Sequence, residues 1–476
     1  MRWKFLKTIL SIFIICIAGL IPVFNVSSVQ ELGVNKVFYV YIPKTLSEAS
    51  KLDIIGIHDT TKVSVYDITS EPAKLVKEGN LNRMGLLTVE TDKEVYYKIV
   101  SDKPVAACVG AGTMVEERGP CGAMVYPAID GSFVGKNFIF MARSGGNVTY
   151  PYVSFTVYAV EDSFVTVKAS NGTELTSFTI TANSYYDVSG LIRRRQIIQV
   201  ESTGNIIIVS WYGARFTSLP SITGDFIGKK FFGYINFYKI TWVTPQTWQN
   251  DGGQGMFIVY AYEPSTVKVY DLLSRQLLYN KTFTKAGEYW YVHGPKPPAP
   301  TIAGNPPSEP YDPNLAPKHL LFLSDGDISV WSGDGGDSPS KIAQPAHFSG
   351  TGDITFVSGK NGKDFWFYAP QKAIIFAPTD ISININGSTR TLKKDRYLTL
   401  TSGYYHIISD NPIIVQVQAG SGTNEYGTYL ISYADIPVTA PETGIGFPLW
   451  MIGIVIAVII AAVLLISKQR RKVYKA

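Results

Sequence analysis

The sequence predicts an all-β ectodomain of four degenerate β-meander repeats, a propeller-like array in preference to tandem β-sandwiches, held by a single C-terminal transmembrane helix. Three observations lead there. Short runs rich in Tyr, Phe, Val and Ile alternate with turns carrying Gly, Asn and Asp, the residues of pleated sheets and of tight turns respectively. Apolar residues at helical spacing are nearly absent between the two ends of the chain. One stretch also recurs: residues 96–105 read Y-Y-K-I-V-S-D-K-P-V, and residues 404–413 match them at Tyr, Tyr, Ile, Ser, Asp and Pro. Looser copies start at Ser202 and Ser324, so the Ser anchors at 101, 202, 324 and 409 mark four units at uneven spacing.

Each copy reads as two strands joined by a tight turn, with Pro412 entering the second strand where no ladder N–H is needed. The units run over about 36–134, 135–227, 228–353 and 354–433. In the first, strands are expected over 37–42, 62–66, 86–90 and the 96–109 hairpin. The second reads as a meander over 154–160, 164–169, 174–181 and 185–189, with Asn171-Gly172 as its hairpin turn, followed by 196–201 and 206–211. The third carries strands over 257–262 and 266–271 and is interrupted by nine prolines between His293 and His319, which read as an extended arm. Asn386-Gly387 repeats the hairpin signal in the fourth, and three units open on Gly-Lys-x-Phe, at Gly135, Gly228 and Gly362.

The ends set the compartment. Residues 1–28 combine a basic start with an apolar run and a small-residue zone near Ser28, the pattern of a secretory signal. Residues 434–447 form a Pro- and Gly-containing stalk, which at ~3.5 Å per residue keeps the head within about 50 Å of a bilayer. The transmembrane helix is expected over 448–467, with a charge-free run from Leu449 to Ile466 and Trp450 at its outer boundary. Lys468, Arg470, Arg471 and Lys472 follow in the 468–476 tail and place the carboxyl end in the cytoplasm and the ectodomain outside. Ala440-Pro441-Glu442-Thr443-Gly444 is similar to a sortase signal with Ala for its leading Leu, and an uncleaved anchor is the preferred reading.

Three of the 43 basic residues precede the apolar leader and five follow the membrane segment, leaving 35 against 38 acidic residues between them. That balance offers no basic surface for nucleic acid. Outside a cell, Cys108 and Cys121 can close a small loop worth ~3 kcal/mol as a disulfide. Sequons at Asn25, Asn147, Asn171, Asn280 and Asn386 agree with export.

Convergent catalytic chemistry is hard to find. The five histidines show neither H-x-H nor H-E-x-x-H spacing, and there is no G-x-S-x-G elbow or P-loop. His406 reads as a half-buried strand residue, Arg193-Arg194-Arg195 as a solvated loop, and Tyr289-Trp290-Tyr291 as sheet packing rather than a sugar platform. Asp325, Asp327, Asp334 and Asp337 form a weak calcium candidate, and turn chemistry is the preferred account of them. No metal and no cofactor is expected.

Residues 104–110 (P-V-A-A-C-V-G), Cys121, Tyr126-Pro127-Ala128 and Gly135-Lys136-Asn137-Phe138 together resemble the N-terminal domain of IgGFc-binding proteins and their prokaryotic relatives. The similarity covers about two units well, and unit two lacks cysteines after its closing strand. It implies an extracellular adhesive or matrix-like role without implying immunoglobulin binding. The expected function is therefore a membrane-anchored surface protein that binds or structures the cell envelope without catalysis, its partner an envelope protein or glycan. The alternative is a surface glycan hydrolase whose carboxylates meet only in the fold.

Overall fold

A computed structural model describes residues 34–42, 50–91, 94–111, 122–142, 152–193, 195–212, 217–235, 240–244, 247–250, 255–293, 318–334, 354–418, 427–432, 436 and 438–441. Among these residues the regular elements are all strands, and no helix is long and apolar enough to cross a membrane. The expected signal, the stalk beyond 441 and the transmembrane segment lie outside the described residues, as do Leu449, Trp450, Ile466, Lys468, Arg470, Arg471 and Lys472.

Unit one comprises β1 (Val37–Ile42), β2 (Ser50–Gly56), β3 (Thr61–Asp67), β4 (Lys74–Leu81), β5 (Leu86–Thr91), β6 (Val95–Ser101) and β7 (Val105–Ala111). Sheet pairing moves the starts of units two and three ahead of the expected 135 and 228, to Gly122 and Thr217. Unit two comprises β8 (Gly122–Tyr126), β9 (Gly135–Met141), β10 (Tyr152–Ala159), β11 (Ser163–Ala169), β12 (Glu174–Ile180), β13 (Tyr185–Arg193) and the long β14 (Ile197–Tyr212). Unit three holds β15 (Thr217–Leu219), β16 (Gly228–Ile235), a hairpin of β17 (Ile240–Thr244) and β18 (Thr247–Asn250), β19 (Gly255–Ala261), β20 (Ser265–Asp271), β21 (Leu277–Phe283), β22 (Tyr289–His293) and the long β23 (Lys318–Asp334). Unit four holds β24 (Ile354–Val357), β25 (Asp364–Ala369), β26 (Lys372–Ala377), β27 (Ile381–Ile385), β28 (Ser388–Leu392), β29 (Arg396–Leu400), β30 (Gly403–Ser409) and β31 (Ile414–Gln418), and β32 (Gly427–Tyr429) comes last.

One pairing pattern recurs four times. The order β1-β6-β3-β4 in unit one reappears as β25-β30-β27-β28 in unit four, and the facing order β7-β2-β5 reappears as β31-β26-β29. In units two and three a single long strand serves both sheets, which makes each a nearly closed barrel-like sheet of seven strands. The first half of β14 pairs with β9 and β11, and its second half with β8 and β10. The meander expected over 154–189 is not formed: β11 and β12 pair as a hairpin, but β10 and β13 pair with each other. Alternation explains the split, because the Val-x-Val of β3, β11 and β20 turns one valine pair into the core, while the intervening side chain is half-buried in β11 (Thr166), exposed in β20 (Lys268) and buried in β3 (Ser64).

The recurring Ser-Asp-x-Pro stretch is likewise not a hairpin. Its two strands belong to different sheets, and the turn carries the chain across the core. Its second residue is bonded to a neighbouring strand: the Asp102 carboxylate accepts the Lys62 N–H at 2.7 Å, Asp325 accepts that of Thr266 at 2.6 Å, and Asp410 that of Ser382 at 2.9 Å. In unit two Thr203 Oγ1 plays the part, accepting the Phe164 N–H at 2.9 Å. At the bends of β14 and β23 sit Gly204 and Gly326, where an added Cβ would lie 2.6 Å from the Asp162 carbonyl oxygen and 2.8 Å from Ser265 Cβ.

The units close on themselves. Each opening strand of a later unit (β8, β15, β24) pairs beside the closing strand of its unit, and β32, past unit four, takes the equivalent place beside β7 of unit one. These four strands touch one another in a cycle, β8 to β15 to β24 to β32 and back. The cores follow the same logic. One buried cluster fills unit two and takes in Ile55, Ala106 and Cys108 from unit one, and another fills unit four and takes in Ile258, Tyr260 and Trp331 from unit three.

Candidate binding site at the convergence of the four links

The links between units are where function is best sought, since turns held by a rigid scaffold can carry side chains that need not pack. Residues 127–136 (P-A-I-D-G-S-F-V-G-K) and 220–229 (P-S-I-T-G-D-F-I-G-K) share one backbone. Gly131 and Gly224 adopt φ of 88° and 91°, and their N–H groups bond Ala128 O at 3.0 Å and Ser221 O at 2.9 Å. The third link, Ser358-Gly359-Lys360-Asn361-Gly362, turns through Asn361 and Gly362 at φ of 53° and 66°. The fourth joins the two ends of the described chain, with the Asn35 N–H donating to Ser432 Oγ at 3.0 Å.

These links surround a cavity of about 980 Å³. Its walls carry hydroxyl, amide and charged groups from all four links, among them Ser132, Thr223, Asp225, Lys229, Lys360, Asn361 and Ser432, with Asp327 from β23. Lys360 Nζ stands 3.8 Å from Asp327 Oδ2, and Lys229 Nζ donates to Asp325 O at 2.8 Å. Phe133 and Phe226 meet edge to face at 4.7 Å and line both this cavity and a small void of about 20 Å³. Val125, Phe356 and Ile431 line the void as well, and all five apolar side chains are buried, so an apolar plug underlies the polar recess. Such a recess offers an apolar base with a hydrogen-bonding wall, the composition of a small-ligand or glycan site. Two carboxylates, Asp225 and Asp327, line it, the second beside a lysine, and no tyrosine does.

The residues singled out in the sequence are scattered. Asp325 ties the bend of β23 to β20, Asp327 reaches the cavity, and Asp334 pairs with Gly255 at the far end of β23. Asp327 and Asp334 lie seven residue steps apart along the strand, about 23 Å, so the acidic residues serve different places, and no acidic or His/Cys cluster fit for a metal occurs among the described residues. Asp337 lies outside the described residues. Cys108 is buried on β7, and Cys121 falls outside the described residues with Asn25 and Asn147. Asn171, Asn280 and Asn386 are exposed. His406 is half-buried as expected, with Nε2 at 2.9 Å from Asp364 Oδ1 and its ring stacked at 3.7 Å on Trp366.

Arg195 corrects the reading of its loop as solvated. Its guanidinium lies 3.1 Å from the fully buried Asp53 carboxylate, which also accepts from Thr88 at 2.6 Å, and it pins unit two to unit one. Sequence reasoning also missed two other junction networks. Between units two and three, His319 Nδ1 lies 2.8 Å from the Tyr158 hydroxyl while Nε2 faces Asp187 at 3.7 Å. Burial pushes the Asp187 carboxyl up, but the facing His319 ring and the hydrogen bond from Thr156 outweigh it and hold the group below its ordinary range. Tyr158 and His319 are buried in this Tyr-His-Asp chain, whereas the Asp187 carboxylate stands half-exposed at its outer end. Between units four and one, the fully buried Lys98 ammonium meets Asp395 at 2.6 Å, and the Tyr39 hydroxyl donates to the same carboxylate at 2.5 Å. Partners 100 to 400 residues apart leave no local pattern to read.

No family model and no curated protein matches the chain. Solved structures that resemble it include an allantoicase at 11% identity and a TM-score of 0.17, covering 38% of this chain and 76% of that one. Another is tripeptidyl peptidase 2, at 8% identity and a TM-score of 0.16, covering 80% of this chain and 35% of that one. Neither is an IgGFc-binding protein, and at these scores neither carries an argument.

Proposed function

We propose that the protein is a membrane-anchored surface protein that binds a component of the cell envelope in the recess between its four links, without catalysis. The observation that carries this reading is the recess itself, a preformed cavity of about 980 Å³ that combines polar groups from all four links with apolar side chains such as Phe133 and Phe226. The cyclic contact of β8, β15, β24 and β32 favours a propeller-like array, and the basic tail after the charge-free run favours a single-pass anchor with its head outside. The family resemblance is in keeping with an adhesive role. Against the hydrolase reading, one of the two carboxylates in the recess already faces a lysine.

The test is capture of envelope extract on the full-length protein in detergent. A retained partner that is lost with Asp225→Ala and Lys360→Ala supports the proposal. Glycan retained and progressively shortened would replace it with the hydrolase, and retention unchanged by both variants would move the site elsewhere.

A further inference from the structure

The four equivalent outer strands β4, β12, β21 and β28 each pair on one side only and end a sheet. An unpaired strand edge is a template for association with another chain, and proteins blunt such edges with charge or cover them. β4 is blunted by Lys74, Lys77 and Glu78, all exposed. The other three carry one charged residue each, and each has a sequon on it or in the turn that leads into it: Asn171 before β12, Asn280 within β21 and Asn386 before β28. The one outer strand rich in charge is the one without a sequon.

We infer that N-linked glycans at Asn171, Asn280 and Asn386 cover the outer edges of units two to four and do there what charge does on unit one. The inference rests on the reading of the chain as exported. In each modification Nδ2 attacks the anomeric carbon of an oligosaccharide carried as a lipid-linked glycosyl phosphate. A C–N bond forms, the bond from that carbon to the phosphate oxygen breaks with its electron pair leaving on the phosphate, and the transferase takes one amide proton. The local geometry accepts the product. Asn171 Oδ1 accepts the Thr173 N–H at 3.0 Å in a turn that points the amide outward, and Asn386 Nδ2 spends one proton on Tyr404 O at 3.0 Å and keeps the other for substitution.

The bare outer edge lies near the last described residues. Ala440 and Pro441 share a cavity of about 580 Å³ with Ser70, Glu71 and Ala73, which lead into β4. The end of β28 lies near them as well, since Lys393 and Lys394, which follow it, line the same cavity.

The test begins with glycopeptide mass spectrometry on the full chain from its own host, where sugar is expected at all three asparagines. Removal of the sugars from the folded protein by an amidase should then convert a monodisperse species to dimers and larger forms in light scattering. The triple variant Thr173→Ala, Thr282→Ala, Ser388→Ala should behave alike while keeping the circular dichroism of the parent. Bare asparagines, or a sugar-free protein that stays monodisperse, would overturn the inference. Envelope capture by the same sample is read separately, so failure here is distinguishable from failure of the binding proposal.

Discussion

At the scale of single residues, the junction between units four and one is the most instructive. Gln416 is fully buried and uses its amide as a strand would, accepting the Tyr41 N–H and donating to the Tyr41 carbonyl, both at 2.7 Å. Beside it, burial lowers Lys98 to about 8, against the opposing pull of Asp395. Between about pH 8 and the ordinary lysine value of 10.5 the folded chain binds fewer protons than the unfolded one, so Lys98 adds stability as pH rises through that window and withdraws it as pH falls through 8. Tyr39, which burial keeps neutral well above 10, acts in the opposite sense above its ordinary value. The urea midpoint should therefore rise between pH 7.5 and 9.5, and Lys98→Met should flatten that slope. Asp395→Ala should cost about 3–5 kcal/mol at pH 7, more than Lys98→Met, because it strands a buried ammonium whereas Asp395 is partly exposed and keeps the Tyr39 hydroxyl.

At the scale of elements, the recurring Ser-Asp stretch shows what was legible in the sequence. Its existence, its number and its β character could be read, and strands such as 37–42, 86–90 and 164–169 fall where runs of strand-forming residues placed them. Its job could not, because the acceptor of Asp410 serves the N–H of Ser382, a partner set by the fold. β4 was missed for a related reason: an edge strand exposed along most of its length shows no alternation. The cavity was half legible, since the Gly-Lys-x-Phe entries mark its links, but their convergence depends on ring closure. Asp410→Ala should lose about 1–2 kcal/mol in denaturant melts, and Asp410→Thr should recover most of it, because Thr203 fills the same role in unit two. An equal loss from both would mean that the carboxylate acts through its charge and not as an acceptor.

At the scale of the whole molecule, the units are coupled in a cycle instead of a line. In an open array each repeat touches only its neighbours, and the ends fray independently. Here the last strand, β32, pairs with β7, and the Tyr429 hydroxyl accepts the Met141 N–H at 2.5 Å and donates to the Met141 carbonyl oxygen, so it reaches from β32 into unit two. Tyr429 and Ile431 also line the small void under the recess. Removing the chain after Gln418 should thus do more than expose one edge: it takes away one wall of the recess and part of its floor, and leaves the junction of units four and one to contacts such as Gln416–Tyr41, Lys98–Asp395, Lys372–Tyr41 and the Tyr96–Tyr397 stack at 3.5 Å. Scanning calorimetry should show one transition for the intact chain and at least two for the truncated one, the earlier accompanied by proteolysis within unit one. Adding Gln416→Leu to the truncation should separate the two further, since it removes the amide that holds Tyr41 across that junction. A truncated chain that still melts in a single step at the parent temperature would show that the units are held pairwise and that closure contributes nothing.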